Sequence, residues 1–364
     1  MYGDLSCLHL REFLAQRGMS LSPMRPDGPR PRRVGQSEIA AAAGVSVSTV
    51  SRVLSNAPGI SADVRESVRR IARRMGYRFY DQVPQRTLPR ATVFLGSPPA
   101  AQEIGETIYS NIVLGIRDAA DAAGIPLNVV VRERVGMLPA GLLEDRQAGV
   151  FFLGIDPNED SMHQIAEAKI AAVLVNGLDP DVLVDSVAPA NFFGGRLAAR
   201  YLIESGHRAL LHVSNRNRWT LSRRADGFFQ GVSDFGKARS VTAEMLDVEH
   251  LSNSMFPAMD AYIKSAKFRF TAVFCGNDSL AMAMIQALKA NGYDVPGTVS
   301  VLGFDDRELA VLSNPPLSTI NVDWRGLGAE AVRLMISRVQ DPARSPMQVQ
   351  LGVRLVLRDS VAPM

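Results

Sequence analysis

Cysteine is nearly absent from this 364-residue sequence, with only Cys7 and Cys275. Two thiols so far apart build neither a disulfide framework nor a metal-ligand spacing, which suits a reducing cytoplasm. No apolar run approaches the length needed to cross a bilayer. The N-terminus lacks the unbroken apolar core of a secretory signal, because Asp4, His9, Arg11 and Glu12 interrupt it. Catalytic signatures are missing too: there is no phosphate-cradling glycine loop, no metal spacing and no nucleophile elbow. These absences argue against an enzyme, a membrane protein and a secreted protein, and no cofactor is expected. Lysine is missing from residues 30–90, where twelve arginines face four acids (Glu38, Asp63, Glu66 and Asp81) for a local charge of +8. Residues 1–29 balance at zero, so a total of +3 leaves about −5 for residues 91–364. A basic segment ahead of an acidic body points to an anionic partner for that segment alone, although a solvated run of charge has the same composition.

What is present divides the chain. The length suggests two or three domains, and 46% hydrophobic with 21% charged residues fits a globular protein with a large core. Residues 1–33 read as a leader: a short amphipathic stretch, then the proline- and arginine-rich "SPMRPDGPRPRR", expected to be disordered. Met24 and the codon for Val34 are alternative starts. Residues 34–80 are patterned as short helices, and residues 81–90, "DQVPQRTLPR", as a linker with two prolines. Over 91–364, apolar runs of strand length recur as "ATVFLG", "PLNVVV", "GVFFLG", "AAVLVN", "ALLHVS", "TAVFCG" and "SVLGF". Helical segments such as Ile112–Ala123, Gly194–Ser205 and Ser279–Asn291 lie between them. This alternation predicts an α/β body of two doubly wound subdomains with parallel sheets.

The segment "IAAAAGVSVSTVSRVLS", residues 39–55, has an arithmetic of its own. Ser37 is placed to cap a helix through the alanines, Gly44 to end it, and Ser46 to cap a second helix, Val47–Ser55. A β-strand reading of "VSVSTVSRV" has real alternation behind it, but the cap, the glycine and a following helix with Val64, Val68, Ile71 and Met75 at helical spacing favour a helix-turn-helix. The alanines let two helices cross closely. Val45, Val50, Val53 and Leu54 supply the buried side and leave Val47, Ser48, Ser51 and Arg52 outside. Short polar side chains on that face can approach base edges in a major groove, and the hydroxyls of Ser46, Thr49 and Ser51 can bond phosphates.

The run "AAAAGVSVSTVSRVLSNAPGISADVRESVRRIARRMGY" resembles, without gaps, the DNA-binding head of the lactose/galactose repressor family. The body continues the resemblance through "GGRLAARYLIESGH", "RRADGF", "FCGNDSLAMAMIQALKANGYDVPGTVSVLGFDD" and "NPPLSTINVDWRGLGAEAVRLM". It covers roughly residues 35–361. It implies a homodimeric, operator-binding regulator of double-stranded DNA, whose body resembles periplasmic sugar-binding proteins and takes a small effector, a sugar or sugar derivative. Carried over by position, Val47, Ser48 and Arg52 fall where the family reads bases, and Ser46, Thr49, Ser51 and Asn56 where it contacts phosphates. The family's linker inserts a leucine into the minor groove. Here the matching position holds Arg86, with Leu88 two residues on and Pro84 and Pro89 around them, so a leucine wedge is not expected.

For the effector, Asn176, Arg224, Asn277 and Asp305 match the family's polar contacts and Trp324 its aromatic wall. Asp278 is expected to cap the helix that begins at Ser279, with Asp306 in a similar position; His207 reads as structural. No heptad pattern follows "RLVLRDS", which predicts a dimer. The rival reading, a transport-type sugar-binding protein without a DNA role, accounts for the body but not for the basic head.

Overall fold

The computed structural model describes residues 34–54, 59–75, 77, 88–96, 108–132, 138, 142–143, 148–155, 157–214, 218–248, 255–265 and 268–364. The expected leader, Asn56 and Arg86 lie outside the described residues. The chain divides into two compact units, Met1–Gln85 and Arg86–Met364.

In the first unit, α1 (Gln36–Ala43), α2 (Val47–Leu54) and α3 (Ala62–Arg74) enclose Ile39, Ala40, Val50, Val53, Val68 and Ala72. Helix α1 starts earlier than a Ser37 cap requires. Gly35 is its N-cap and donates its amide to Glu38 Oε2 at 2.8 Å, so Ser37 sits inside the first turn. Gly44 ends the helix with φ +65°, the left-handed conformation that glycine takes without penalty. Ser46 then caps α2 by accepting the Thr49 amide at 3.0 Å. The alternating valines are therefore helical, with Val50 and Val53 fully buried and Val47 48% exposed. Of the alanine run, Ala40 and Ala43 face the other helices while Ala41 and Ala42 are exposed, so the close crossing uses half of it.

In the second unit, β1 (Arg90–Gly96), β2 (Leu127–Arg132), β3 (Ala148–Leu153), β4 (Ala172–Val175), β5 (Asp185–Pro189) and β11 (Gln348–Leu351) form a parallel sheet in the order β11-β5-β4-β3-β1-β2. The second sheet runs β12-β10-β9-β8-β6-β7, from β6 (Ala209–Ser214), β7 (Thr242–Asp247), β8 (Ala272–Cys275), β9 (Ser300–Asp305), β10 (Ser318–Asn321) and β12 (Arg354–Val356), and only β12 is antiparallel. All seven apolar runs became strands. Among the described residues β5 and β10 escape the periodicity because they are short and carry polar residues such as Asp185 and Ser318 at buried positions, and β7, β11 and β12 because they are edge strands with no buried position.

The helices of this unit are α4 (Ile108–Ala122), α5 (Glu159–Glu167), α6 (Asn191–Glu204), α7 (Trp219–Gly236), α8 (Met255–Lys264), α9 (Asp278–Ala290), α10 (Glu308–Leu312) and α11 (Trp324–Gln340). The chain passes between the sheets three times: through α6, through α11, and between β11 and β12. Helices α6 and α7 touch backbone to backbone, since a Cβ on Gly195 would collide with the Arg224 carbonyl and one on Gly227 with that of Phe192. The closing end of the linker is fastened as well. Leu88 is buried in the core, over Gly149 and beside Met335.

Candidate functional site

On α2, Ser46, Val47, Ser48, Ser51 and Arg52 are exposed together and Thr49 is half-buried. The Ser46 hydroxyl lies 2.8 Å from both Ser48 Oγ and Thr49 Oγ1, which gathers three hydroxyls at the positive end of the helix. Arg52, one turn further on, has Nη2 against Gly59, close enough that a Cβ there would sit 3.3 Å away. Gly59 has φ +86°, a left-handed conformation that favours glycine.

In the second unit, each sheet reverses its winding beside its first strand: between β1 and β3 in one, and between β6 and β8 in the other. Ligand crevices of doubly wound sheets open at such points, beyond the carboxyl ends of the strands. Gly96 with Gly154 marks the first reversal and Ser214 with Gly276 the second. Side chains from both halves gather there. Tyr109 of α4 lies over Gly154. Asn176, at the end of β4 with φ +55°, is 2% exposed, and its Oδ1 has no hydrogen-bond partner. Arg218, just before α7, donates Nη1 to Tyr109 Oη at 2.6 Å and Nη2 to the Asn176 carbonyl at 3.2 Å.

Arg224 is the centre of the other half. It donates Nε to Asn191 Oδ1 at 2.8 Å and Nη1 to the Gly276 carbonyl at 2.6 Å and to Asp305 Oδ1 at 3.0 Å, with its guanidinium stacked 3.7 Å from the Phe304 ring centroid. The whole assembly is out of solvent, with only 4% of the Arg224 side chain exposed. Burial pulls the guanidinium below its ordinary value, and Asp305 opposes that. Burial likewise pushes the Asp305 carboxyl up, against the pull of Arg224. Trp324 is buried in the core and donates its indole N–H to the Asp305 carbonyl at 3.1 Å.

The expected effector residues thus fall into two groups, Asn176 in one half and Arg224, Asn277, Asp305 and Trp324 in the other. Asp278 does not cap α9. Asn277 is the N-cap and accepts the Leu280 amide at 2.8 Å, while Asp278 is the first helical residue and points into the core. Asp306 caps nothing either, since it accepts from Arg358 at 2.6 Å and from Asn321 at 2.9 Å. His207 is buried between Thr271 Oγ1 at 3.2 Å and the Ala362 carbonyl at 3.1 Å, as a structural residue should be. Tyr109, Asn191 and Arg218 were not singled out from sequence. They lie at helix starts, where a polar or aromatic residue has no periodic signal to distinguish it. A separate cleft of about 140 Å³ beside α5, lined by Met162, Leu174 and Asp179 among others, holds none of the expected residues.

Comparison with known proteins follows the same division. Residues 37–78 match the family described as bacterial regulatory proteins, lacI family, and residues 199–361 match the periplasmic binding protein-like domain. The transcriptional regulator CelR of Thermobifida fusca is 29% identical over 348 residues, covering 91% of this chain and 99% of that protein. A solved CelR–cellobiose complex superposes with a TM-score of 0.65 at 27% identity, covering 90% of this chain and all of the other. The lac repressor dimer bound to operator and the anti-inducer ONPF gives 0.65 at 25% identity, covering 91% of this chain and all of that one. A three-helix head with a capped, hydroxyl-rich second helix, a body of two sheets with facing crevices, and relatives matched almost end to end place this chain in the LacI/GalR family of DNA-binding transcriptional regulators.

Proposed function

We propose that this regulator is a cytoplasmic homodimer that represses transcription and whose operator affinity responds to a sugar or sugar derivative held between the two sheets. Val47, Ser48 and Arg52 read bases; Ser46, Thr49, Ser51 and Asn56 hold phosphates; Arg86 approaches the minor groove. In the crevice, Asn176, Arg224, Asn277, Asp305 and Trp324 contact the effector, joined by Tyr109 and Arg218. The observation that carries the effector reading is Asn176: its Oδ1 is buried and unpartnered at the mouth of a parallel sheet. Leaving such an atom unpaired costs about 1–3 kcal/mol, and a ligand hydroxyl would remove that cost. Asp305 and Arg224 offer the acceptor and donors that ring hydroxyls need, and Tyr109 offers an apolar face. CelR, a relative over nearly the whole chain, has been solved with cellobiose. The test is a melting-temperature screen of mono- and disaccharides, cellobiose included, against the full chain. A ligand at a hundred times its Kd adds about 2.7 kcal/mol of stability, and Asn176→Ala should abolish the shift. A screen in which no sugar raises the melting temperature would falsify the sugar assignment.

A further inference from the structure

Asp278 is a buried ionisable group to which the crevice described above gives no role. Its side chain is fully enclosed at the start of α9, and both oxygens are engaged. Oδ1 accepts the Thr319 hydroxyl at 2.6 Å, and Oδ2 accepts the Arg307 backbone amide at 2.8 Å. Arg307 follows Asp305 and Asp306, which have φ +117° and +54°. Non-glycine residues are strained there, and such a conformation persists only where its surroundings impose it. Several attachments do so here: the Trp324 indole on the Asp305 carbonyl, Arg224 on the Asp305 carboxylate, Arg358 and Asn321 on the Asp306 carboxylate, the Arg307 guanidinium on the Ser279 hydroxyl, and Asp278 on the Arg307 amide. Of the groups that hold the turn from outside it, Asp278 is the buried carboxyl, and it adjoins Asn277.

Charged and titratable groups face it from every neighbouring element. Asp305, Asp306 and Arg307 come from β9 and the turn after it, Arg224 from α7 and Cys275 from β8, while β10 offers only the Thr319 hydroxyl. Among the described residues no cation touches Asp278, whereas Arg224 grips Asp305. Two carboxyls within reach of one guanidinium do not both ionise easily, and the one without a contacting cation keeps its proton. Burial, and then the charge of Asp305, push the Asp278 carboxyl up to about 7.

Resting on the effector crevice proposed above, we infer that Asp278 is a proton-carrying positioning residue: neutral, it leaves Arg224 to Asp305; ionised, it repels Asp305 and shifts the 305–307 turn while still holding the Arg307 amide. In the neutral form Oδ1–H donates to Thr319 Oγ1 across the same 2.6 Å. Effector occupancy is then linked to proton uptake, although Asp278 does not touch the effector.

Trp324 reports on this turn directly through its bond to the Asp305 carbonyl, and Trp219 is the other tryptophan of the chain. In a Trp219→Phe background, tryptophan emission should show a transition centred near neutral pH. Asp278→Asn should abolish it, and Thr319→Val, which removes a hydrogen bond favouring the carboxylate, should move its midpoint upward. Flat emission in the Trp219→Phe protein overturns the inference. So does a transition that survives Asp278→Asn, since it would then belong to Asp305 or to a histidine. Should Asp278→Asn fail to fold by circular dichroism, the direction of the Thr319→Val shift decides alone. No effector is needed, so a failure here is separate from a failure of the sugar screen.

Discussion

A single guanidinium has opposite fates in the two units of this chain. Arg52 is exposed on a helix of small side chains, and its planar fork matches guanine O6 and N7, a match worth ~1–3 kcal/mol of discrimination. Arg52→Ala should therefore erase a specific footprint on selected operator DNA and leave weak, salt-sensitive binding. An unchanged footprint would sink the base-reading role. Arg224 is enclosed with Asp305, and removing one member of a buried pair strands the other. Arg224→Ala should lower unfolding stability by about 3–5 kcal/mol in urea titrations, besides weakening effector binding. Arg52 stood out in the sequence as an arginine among short residues, whereas Arg224 was reached only through the family resemblance. The partners of Arg224 were not legible there, because Asn191, Gly276 and Asp305 are brought to it by three separate elements.

At the scale of elements, glycine decides how near helices can come. Helices α6 and α7 meet where Gly195 and Gly227 leave room for backbone carbonyls, so a methyl group must push the pair apart. Gly227→Ala should cost at least ~1–3 kcal/mol and, because α7 carries Arg224, should also weaken binding of the proposed effector. A variant with unchanged melting temperature and unchanged effector Kd would refute the close-contact argument. Continuous apolar strands and capped helices were readable from period and punctuation. Edge strands such as β7 and β12 were not, because half-exposed or very short segments have no distinctive pattern. The same limit explains the two aspartates mistaken for caps. Asp278 and Asp306 sit at the right spacing, and only tertiary contacts with Thr319, Arg307, Arg358 and Asn321 reveal what they bind.

Across the molecule, two buried aspartates set opposite slopes of stability against pH. Burial would raise Asp185, but Arg338, Arg344 and the Met347 amide outweigh it and hold the carboxyl below its ordinary value. A depressed carboxyl adds stability above its unfolded value and loses it as pH falls. Asp185→Asn should flatten the acid limb of a melting-temperature profile below about pH 5. Asp278 is raised, so its contribution is complete at low pH and is lost as pH rises through neutrality. Asp278→Asn should flatten the neutral limb instead. A profile in which both variants follow the parent would mean that neither carboxyl governs stability. Size-exclusion chromatography with light scattering should give a dimer, because a two-fold protein matches a palindromic site.

The threefold passage between sheets has a consequence during synthesis. Strand β5 pairs with β11, which the ribosome makes about 160 residues later, roughly 10–30 s at ~5–20 residues per second. Until then the first sheet has an open edge at Asp185–Pro189, and the two arginines that hold Asp185 have not been translated. The nascent chain thus leaves its first sheet unfinished until its last, when β11 and β12 close both sheets together.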